Sequence, residues 1–220
     1  MVATISADIV RSTSLNTESL IALRNGIRGL FDILEGDYPG LWGRVVRGDS
    51  IECFVPDCEK ALRIAILIKL FVKMHVAQTD GEESLQRYGI RFSIGMGDVE
   101  YESKKEDIIN GPAIYISGRN LDSITLMDDL TSFEIAGASD SLNGIMDSYV
   151  AMAGSLVDSY SAKQSAVIYY KLRGFKEMEI ARILGVTQSS VNIRSTNAKW
   201  GLLSLAIEDF EHFDFAKVCG

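Results

Sequence analysis

The chain is poor in the residues that staple or metallate a fold. Its three cysteines, Cys53, Cys58 and Cys219, are an odd number without metal-ligand spacing, which argues against a disulfide framework and for a reducing compartment. Its two histidines, His75 and His212, stand alone, which argues against zinc. Long apolar runs are also missing. The most apolar stretch, residues 61–73, is interrupted by Arg63, Lys69 and Lys73, so it reads as a core helix and not as a membrane span. No basic region precedes the apolar residues at the N-terminus, so no signal peptide is expected. There is no internal repeat and no low-complexity tract. The expected setting is cytoplasmic, away from any membrane, and 220 residues suffice for one large or two modest domains.

What is present begins with Val2 to Ile9, a run of strand formers that ends at Asp8 and is followed by Ser12 and Thr13. A strand held in a sheet fixes its end, so a carboxylate there is pre-positioned to hold a cation or a metal-bound phosphate. Gly48-Asp49-Ser50 lies between two further strand-like runs, residues 42–47 and 51–55, and reads as a hairpin with Gly48-Asp49 as a two-residue turn. Two carboxylates on neighbouring strands repel each other unless a metal or a proton sits between them. Arg91 to Val99 alternates Phe92, Ile94 and Met96 against small residues, and Gly111-Pro112 opens a helix that carries Arg119. Leu20, Leu23, Ile27, Leu30 and Leu34 mark a helix over about 16–34, with Gly26 and Gly29 costing about 1 kcal/mol each against alanine. Residues 100–107 read as a charged loop and 133–136 as a short last strand.

Taken in order, these segments resemble the class III nucleotidyl cyclase homology domain, and more closely its SatD-type offshoot, over residues 2 to 137. The resemblance implies an α+β fold with a ferredoxin-like, cyclase-type sheet and packed helices. It implies that Asp8 and Asp49 bind Mg²⁺ or Mn²⁺ with a nucleotide, and that Arg119 steadies the transferred phosphate. Two departures stand out: Tyr115 replaces the asparagine of an active cyclase, and Val45 stands where a purine-selecting lysine is expected. Half a catalytic apparatus points to binding more than turnover.

Composition shifts after 137. Residues 138–160 suit a connecting helix, and 161–220 read as a separate unit. Within it, Gly174 and Gly185 separate three helical stretches, Ile180, Leu184, Val186 and Val191 are spaced to close a small core, and Thr187 is placed to cap the third helix. This segment resembles the helix-turn-helix of sigma-factor region 4 and LuxR-type regulators, with Ser195 where those carry an apolar residue. Residues 161–200 hold seven basic side chains and two acidic ones, net +5, in a chain of net charge −8, so the remainder carries −13. A basic island on an acidic protein is the footprint expected for phosphate binding. With Val191 inward, 100° per residue turns Ser189, Asn192, Ile193 and Thr196 outward. Gln188 and Asn192 have the amide geometry to read adenine, and Ile193 can meet a thymine methyl. Lys176, Thr187, Arg194 and Lys199 complete the set expected to touch double-stranded DNA.

The resulting expectation is a homodimeric DNA-binding regulator with a degenerate nucleotide sensor. The alternative is an active nucleotidyl cyclase or related phosphotransferase governed by its C-terminal helices.

Overall fold

The computed structural model describes residues 1–10, 17–46, 48–80, 89–127 and 131–218. The expected features at Ser12, Thr13, Asn16, Arg47, residues 81–83 and Cys219 lie outside that set. The first half runs β1 (Val2–Ile9), α1 (Thr17–Asp37), β2 (Trp42–Val46), β3 (Ser50–Val55), a short 3₁₀ turn at Cys58–Lys60, α2 (Ala61–Asp80) and β4 (Ile90–Gly97). Then come β5 (Tyr101–Ser103), β6 (Ile108–Asn110), α3 (Pro112–Met127) and β7 (Thr131–Ile135).

The main sheet has the order β2-β3-β1-β4-β7. Its first four strands, joined as β1-α1-β2-β3-α2-β4, have the ferredoxin-like βαββαβ order, with β1 antiparallel to both neighbours. β7 adds in parallel to β4, which needs a crossover, and α3 supplies it. The mixed α/β class expected from the sequence is therefore present. β1 is the centre of the sheet, and alternation divides its residues between two faces. Ala3, Ile5, Ala7 and Ile9 join the apolar core under α1 and α2, while Thr4 and Ser6 face α3. On α1 the inward residues include Leu23, Ile27, Leu30 and Leu34, the helical spacing read from the sequence.

Two local readings are corrected. The paired residues nearest the β2–β3 turn are Val46 and Ser50, which leaves three residues between them and not two. Gly48 takes a left-handed φ of 89° there. Residues 100–107 are not simply a charged loop, since β5 and β6 form a two-stranded ribbon. Through Ile109 that ribbon covers Trp42 and Phe54 on the α3 side of the sheet.

The second half is helical: α4 (Asp140–Asp158), α5 (Ala162–Leu172), α6 (Glu177–Leu184), α7 (Gln188–Asn197), α8 (Trp200–Glu211) and α9 (Phe215–Val218). Helix α4 closes the free edge of β7 with side chains. Asp147 accepts from Phe133 N–H at 2.7 Å, and Asn143 both accepts from Ile135 N–H at 2.9 Å and donates to Ile135 O at 3.2 Å. Side chains thus satisfy backbone groups that would otherwise invite another strand. The three stretches set apart by composition share one core. Ile168, Tyr169, Leu172, Leu203, Ile207, Phe210 and Phe215 pack into the same cluster as the sheet and α2. Phe133 of β7 meets Phe210 edge to face with centroids 5.7 Å apart.

Polar ties reinforce the junction. Arg63 of α2 donates to Glu211 of α8 at 2.5 and 3.0 Å and to the carbonyl of Leu172 at 3.0 Å. Arg173 donates to Asp37 at 2.8 Å. Lys69, fully buried, donates to Ile90 O at 2.9 Å and pairs with Asp158 at 2.8 Å, and Lys73 donates to Asp158 O at 2.8 Å. The charges that interrupt the apolar stretch 61–73 are thus the ties between the sheet half and the helical half. Among the described residues no helix is long and apolar enough to cross a membrane.

Candidate functional site

Beyond the Trp42–Phe54 patch, the α3 face of the sheet carries polar side chains in rows set by register. Val46, Ser50, Asp8 and Arg91 stand in one row across β2, β3, β1 and β4; Arg44, Glu52, Ser6 and Ser93 stand in the next. Asp8 sits near the end of β1, where its Oδ1 accepts from Ser50 Oγ at 2.6 Å. Asp49 lies in the adjoining turn, and its carbonyl meets Ile9 N–H at 3.4 Å. The two expected metal residues are therefore on neighbouring chain segments, with a serine hydroxyl beside them. Arg44 pairs with Glu52 through Nε at 2.9 Å and Nη2 at 2.5 Å, and reaches Asp107 at 3.5 Å. Arg91 Nε is buried without a hydrogen-bond partner.

Carboxylates and a hydroxyl are hard oxygen donors of the kind that suit Mg²⁺ or Mn²⁺. Among the described residues no group of three or more His, Cys, Asp or Glu converges. A divalent ion at Asp8 and Asp49 would complete its shell with water and ligand phosphate, which is how Mg²⁺ is commonly held. Val45 does not face this row: it stands across from Ile51 and packs on the apolar core. The basic group presented at that end of the face is Arg44, already tied to Glu52.

Helix α3 lies flat on β1 and β4. Ser117 Oγ hydrogen-bonds Thr4 Oγ1 at 3.0 Å and Ser6 Oγ at 2.8 Å. A Cβ on Gly95 would fall 2.3 Å from Ala113 O, so only glycine permits this approach. Arg119 follows Ser117 by two residues, about 200° around the helix, and is exposed. Within one chain it is not brought to Asp8 and Asp49. Tyr115, also exposed, donates its hydroxyl to Asn110 Oδ1.

The second candidate surface is on the helical half. Helices α5, α6 and α7 enclose a small core of Val167, Ile180, Ala181 and Val191, with Tyr170, Phe175, Leu184 and Val186 packed against it. Gly185 ends α6 with φ 63° and ψ 35°, a left-handed conformation that glycine adopts without strain. Thr187 caps α7 by accepting from Ser190 N–H at 3.2 Å, so its hydroxyl serves the helix. Gln188, Ser189, Asn192, Ile193 and Thr196 are exposed, Ile193 to 56%. Lys176 and Lys199 are exposed and Arg194 is half-buried. Ser195 is buried, so a hydroxyl occupies the place where the resemblance expected an apolar side chain.

The net +5 of this region is only partly available. Arg173 is committed to Asp37 and Lys171 to Glu177, the latter at 3.0 Å. Glu177 was missed by sequence reasoning, because a carboxylate at the first turn of a helix is ordinary. Its carboxyl is held below the usual carboxylate range, first by the hydrogen bond from Lys171.

No family description and no curated protein matches this chain. Among solved structures, that of a bacterial light-regulated adenylyl cyclase aligns with a TM-score of 0.38 and 15% identity, covering 60% of this chain and 74% of that one. At that level of similarity the site rests on this chain's own residues.

Proposed function

We propose that the chain is a DNA-binding transcriptional regulator whose sheet half is a degenerate, cyclase-like sensor for a nucleotide with a divalent metal. The observation that carries the reading is the α7 surface. A short helix, capped by Thr187 and anchored by Val191, turns Gln188, Ser189, Asn192, Ile193 and Thr196 outward in one contiguous strip. That strip combines amide groups with an exposed β-branched side chain, the chemistry that reads base edges in a major groove. In this helix-turn-helix reading α7 is the recognition helix, and two copies of the chain present two such helices to successive grooves. The expected dimer also gives the exposed Arg119 a route to a phosphate held by a second copy.

The test is selection of binding sites from a random duplex pool with the full-length chain. Gln188→Ala and Asn192→Ala are expected to relax preference at defined positions by about 1–3 kcal/mol per lost bidentate contact, while Lys176→Ala weakens all sequences alike. Enrichment of no sequence, together with indifference to these substitutions, contradicts the reading.

The sensor half has its own test. Asp8 and Asp49 would hold Mg²⁺ or Mn²⁺ weakly alone and more tightly when phosphate oxygens share the ion. A nucleoside triphosphate with Mg²⁺ is therefore expected to raise the thermal midpoint more than either alone, and Asp8→Ala or Asp49→Ala to abolish the increment. Formation of cyclic nucleotide is expected to stay at background, since Tyr115 offers no amide to a reacting ribose. Rapid turnover lost in Asp49→Ala would make the chain a cyclase instead.

A further inference from the structure

Four large apolar side chains stand in solvent where α4 meets α8. Tyr149 of α4 donates its hydroxyl to the carbonyl of Ala206 on α8 at 2.6 Å. Ile145 and Met152 lie one helical turn to either side of Tyr149, and Leu202 lies one turn before Ala206, with Leu205 next to it. All four are more than half exposed. Single exposed apolar residues are ordinary, but several gathered around one contact make a patch of the kind that marks an interaction surface. The α4 side of the patch is also uncharged. Past Asp140, the exposed residues of α4 are Ser141, Gly144, Ile145, Ser148, Met152 and Ser155. Helix α1, by contrast, exposes Glu18, Arg28, Asp32 and Asp37. On α8 the exposed acids, Glu208 and Asp209, fall in its last turn, beyond Leu205.

Charge and shape together select a second copy of the chain as the occupant. At a net charge of −8, two copies repel each other wherever their acidic surfaces meet. On the uncharged α4 face they meet without that cost, whereas a basic partner would be drawn to the acidic faces instead. At 100° per residue Gly144, Ser148, Ala151 and Ser155 fall in one stripe of small side chains, and Ile145 and Met152 form a ridge beside it. Ridge and groove on one helix are self-complementary. About a twofold axis the ridge of each copy enters the groove of the other, so both contacts are made at once. The groove also tolerates burial: Ser148 Oγ already donates to Gly144 O at 2.9 Å within its own helix, so closing the groove orphans no donor there. We infer that the α4–α8 face is the surface through which two copies of this chain pair. The inference deepens the regulator reading, which asks for two copies but does not say where they meet.

Light scattering of the full-length chain at micromolar concentration, without DNA, is the test. The wild type is expected at twice the chain mass of 24.2 kDa. Met152→Glu sets an acid against its own copy and is expected to weaken pairing roughly hundredfold. Gly144→Arg separates pairing from folding. Beyond its own helix a Cβ there meets nothing within 4 Å, and arginine is a better helix former than glycine. Its thermal midpoint in dilute solution is therefore expected to hold or rise while the dimer is lost. Ile21→Glu, on the exposed side of α1, is expected to leave pairing unchanged. A wild type that stays at the mass of one chain overturns the inference, even if the same face then binds phosphatidylcholine vesicles. A dimer that survives both Met152→Glu and Gly144→Arg overturns it too, and leaves the regulator reading standing. Conversely, a dimer lost in both variants, from a chain that selects no DNA site, contradicts the regulator reading alone and upholds this surface.

Discussion

Asp158→Ala is expected to destabilise the chain by about 3–5 kcal/mol in urea unfolding at neutral pH, as removal of one partner from a buried ion pair does. Asp158 is the last residue of α4 and its carboxylate faces Lys69, whose side chain is fully buried. Lys73 adds a second ammonium one turn along α2, bonded to the Asp158 carbonyl. Without the carboxylate, Lys69 keeps only the Ile90 carbonyl and the face of Phe92, 5.6 Å away. The double variant Lys69→Met with Asp158→Ala removes both charges and is expected to lose less than Asp158→Ala alone, since no unpaired ammonium is then left buried. Equal losses in the two variants would show that the site is sensitive to shape and not to charge.

The same cluster sets a pH dependence. Burial lowers the pKa of Lys73 from 10.5 to about 8, with Asp158 opposing the shift and Lys69 adding to it. Lys69 is lowered too, again by burial first. Between about pH 8 and 10.5 the unfolded chain therefore binds more protons than the folded one, and stability rises with pH. At 1.36 kcal/mol per unit the contribution of Lys73 across that window is about 3 kcal/mol. It is absent in Lys73→Met, and a wild-type slope unchanged by that substitution would contradict the assignment.

How much of this was legible in the sequence varies with the physics. The strands β1 and β4 and the helix α1 were legible because each buries one face at a fixed period, as Phe92, Ile94 and Met96 or Leu23, Ile27, Leu30 and Leu34 show. The β5–β6 ribbon was not. Its strands are three residues long and Tyr101, Glu102 and Ile108 are exposed, so Ile109 alone signals burial. The shared core was not legible either. Period shows that Leu203, Ile207 and Phe210 turn inward, but not that a sheet from the first half is what they meet. Lys69 and Lys73 broke an apolar pattern and read as interruptions, because their partner Asp158 lies 85 residues or more away from them, beyond any local spacing rule. At the candidate sites, Asp8 and Asp49 were legible as positions, while the Ser50 contact follows from the long-range β1–β3 register, which sets Asp8 opposite Ser50. The outward strip of α7 followed from helical period once Val191 was placed inward.

The second large effect concerns salt. The region around α7 leaves Lys176, Arg182 and Lys199 exposed and Arg194 half-buried, while the rest of the chain is strongly acidic. An acidic protein that binds DNA does so only where such a patch meets phosphate, and each neutralised phosphate releases counterions. With about four phosphate contacts per chain, the slope of log K against log salt is roughly −3.6 per chain, and affinity falls roughly a hundredfold between 50 and 200 mM salt. A fluorescence anisotropy titration of the full-length chain on labelled duplex DNA across that range is the most direct test of the regulator reading. The expected result is tight binding at 50 mM that weakens steeply and linearly on logarithmic axes; binding that is missing at 50 mM, or that does not change with salt, would contradict it.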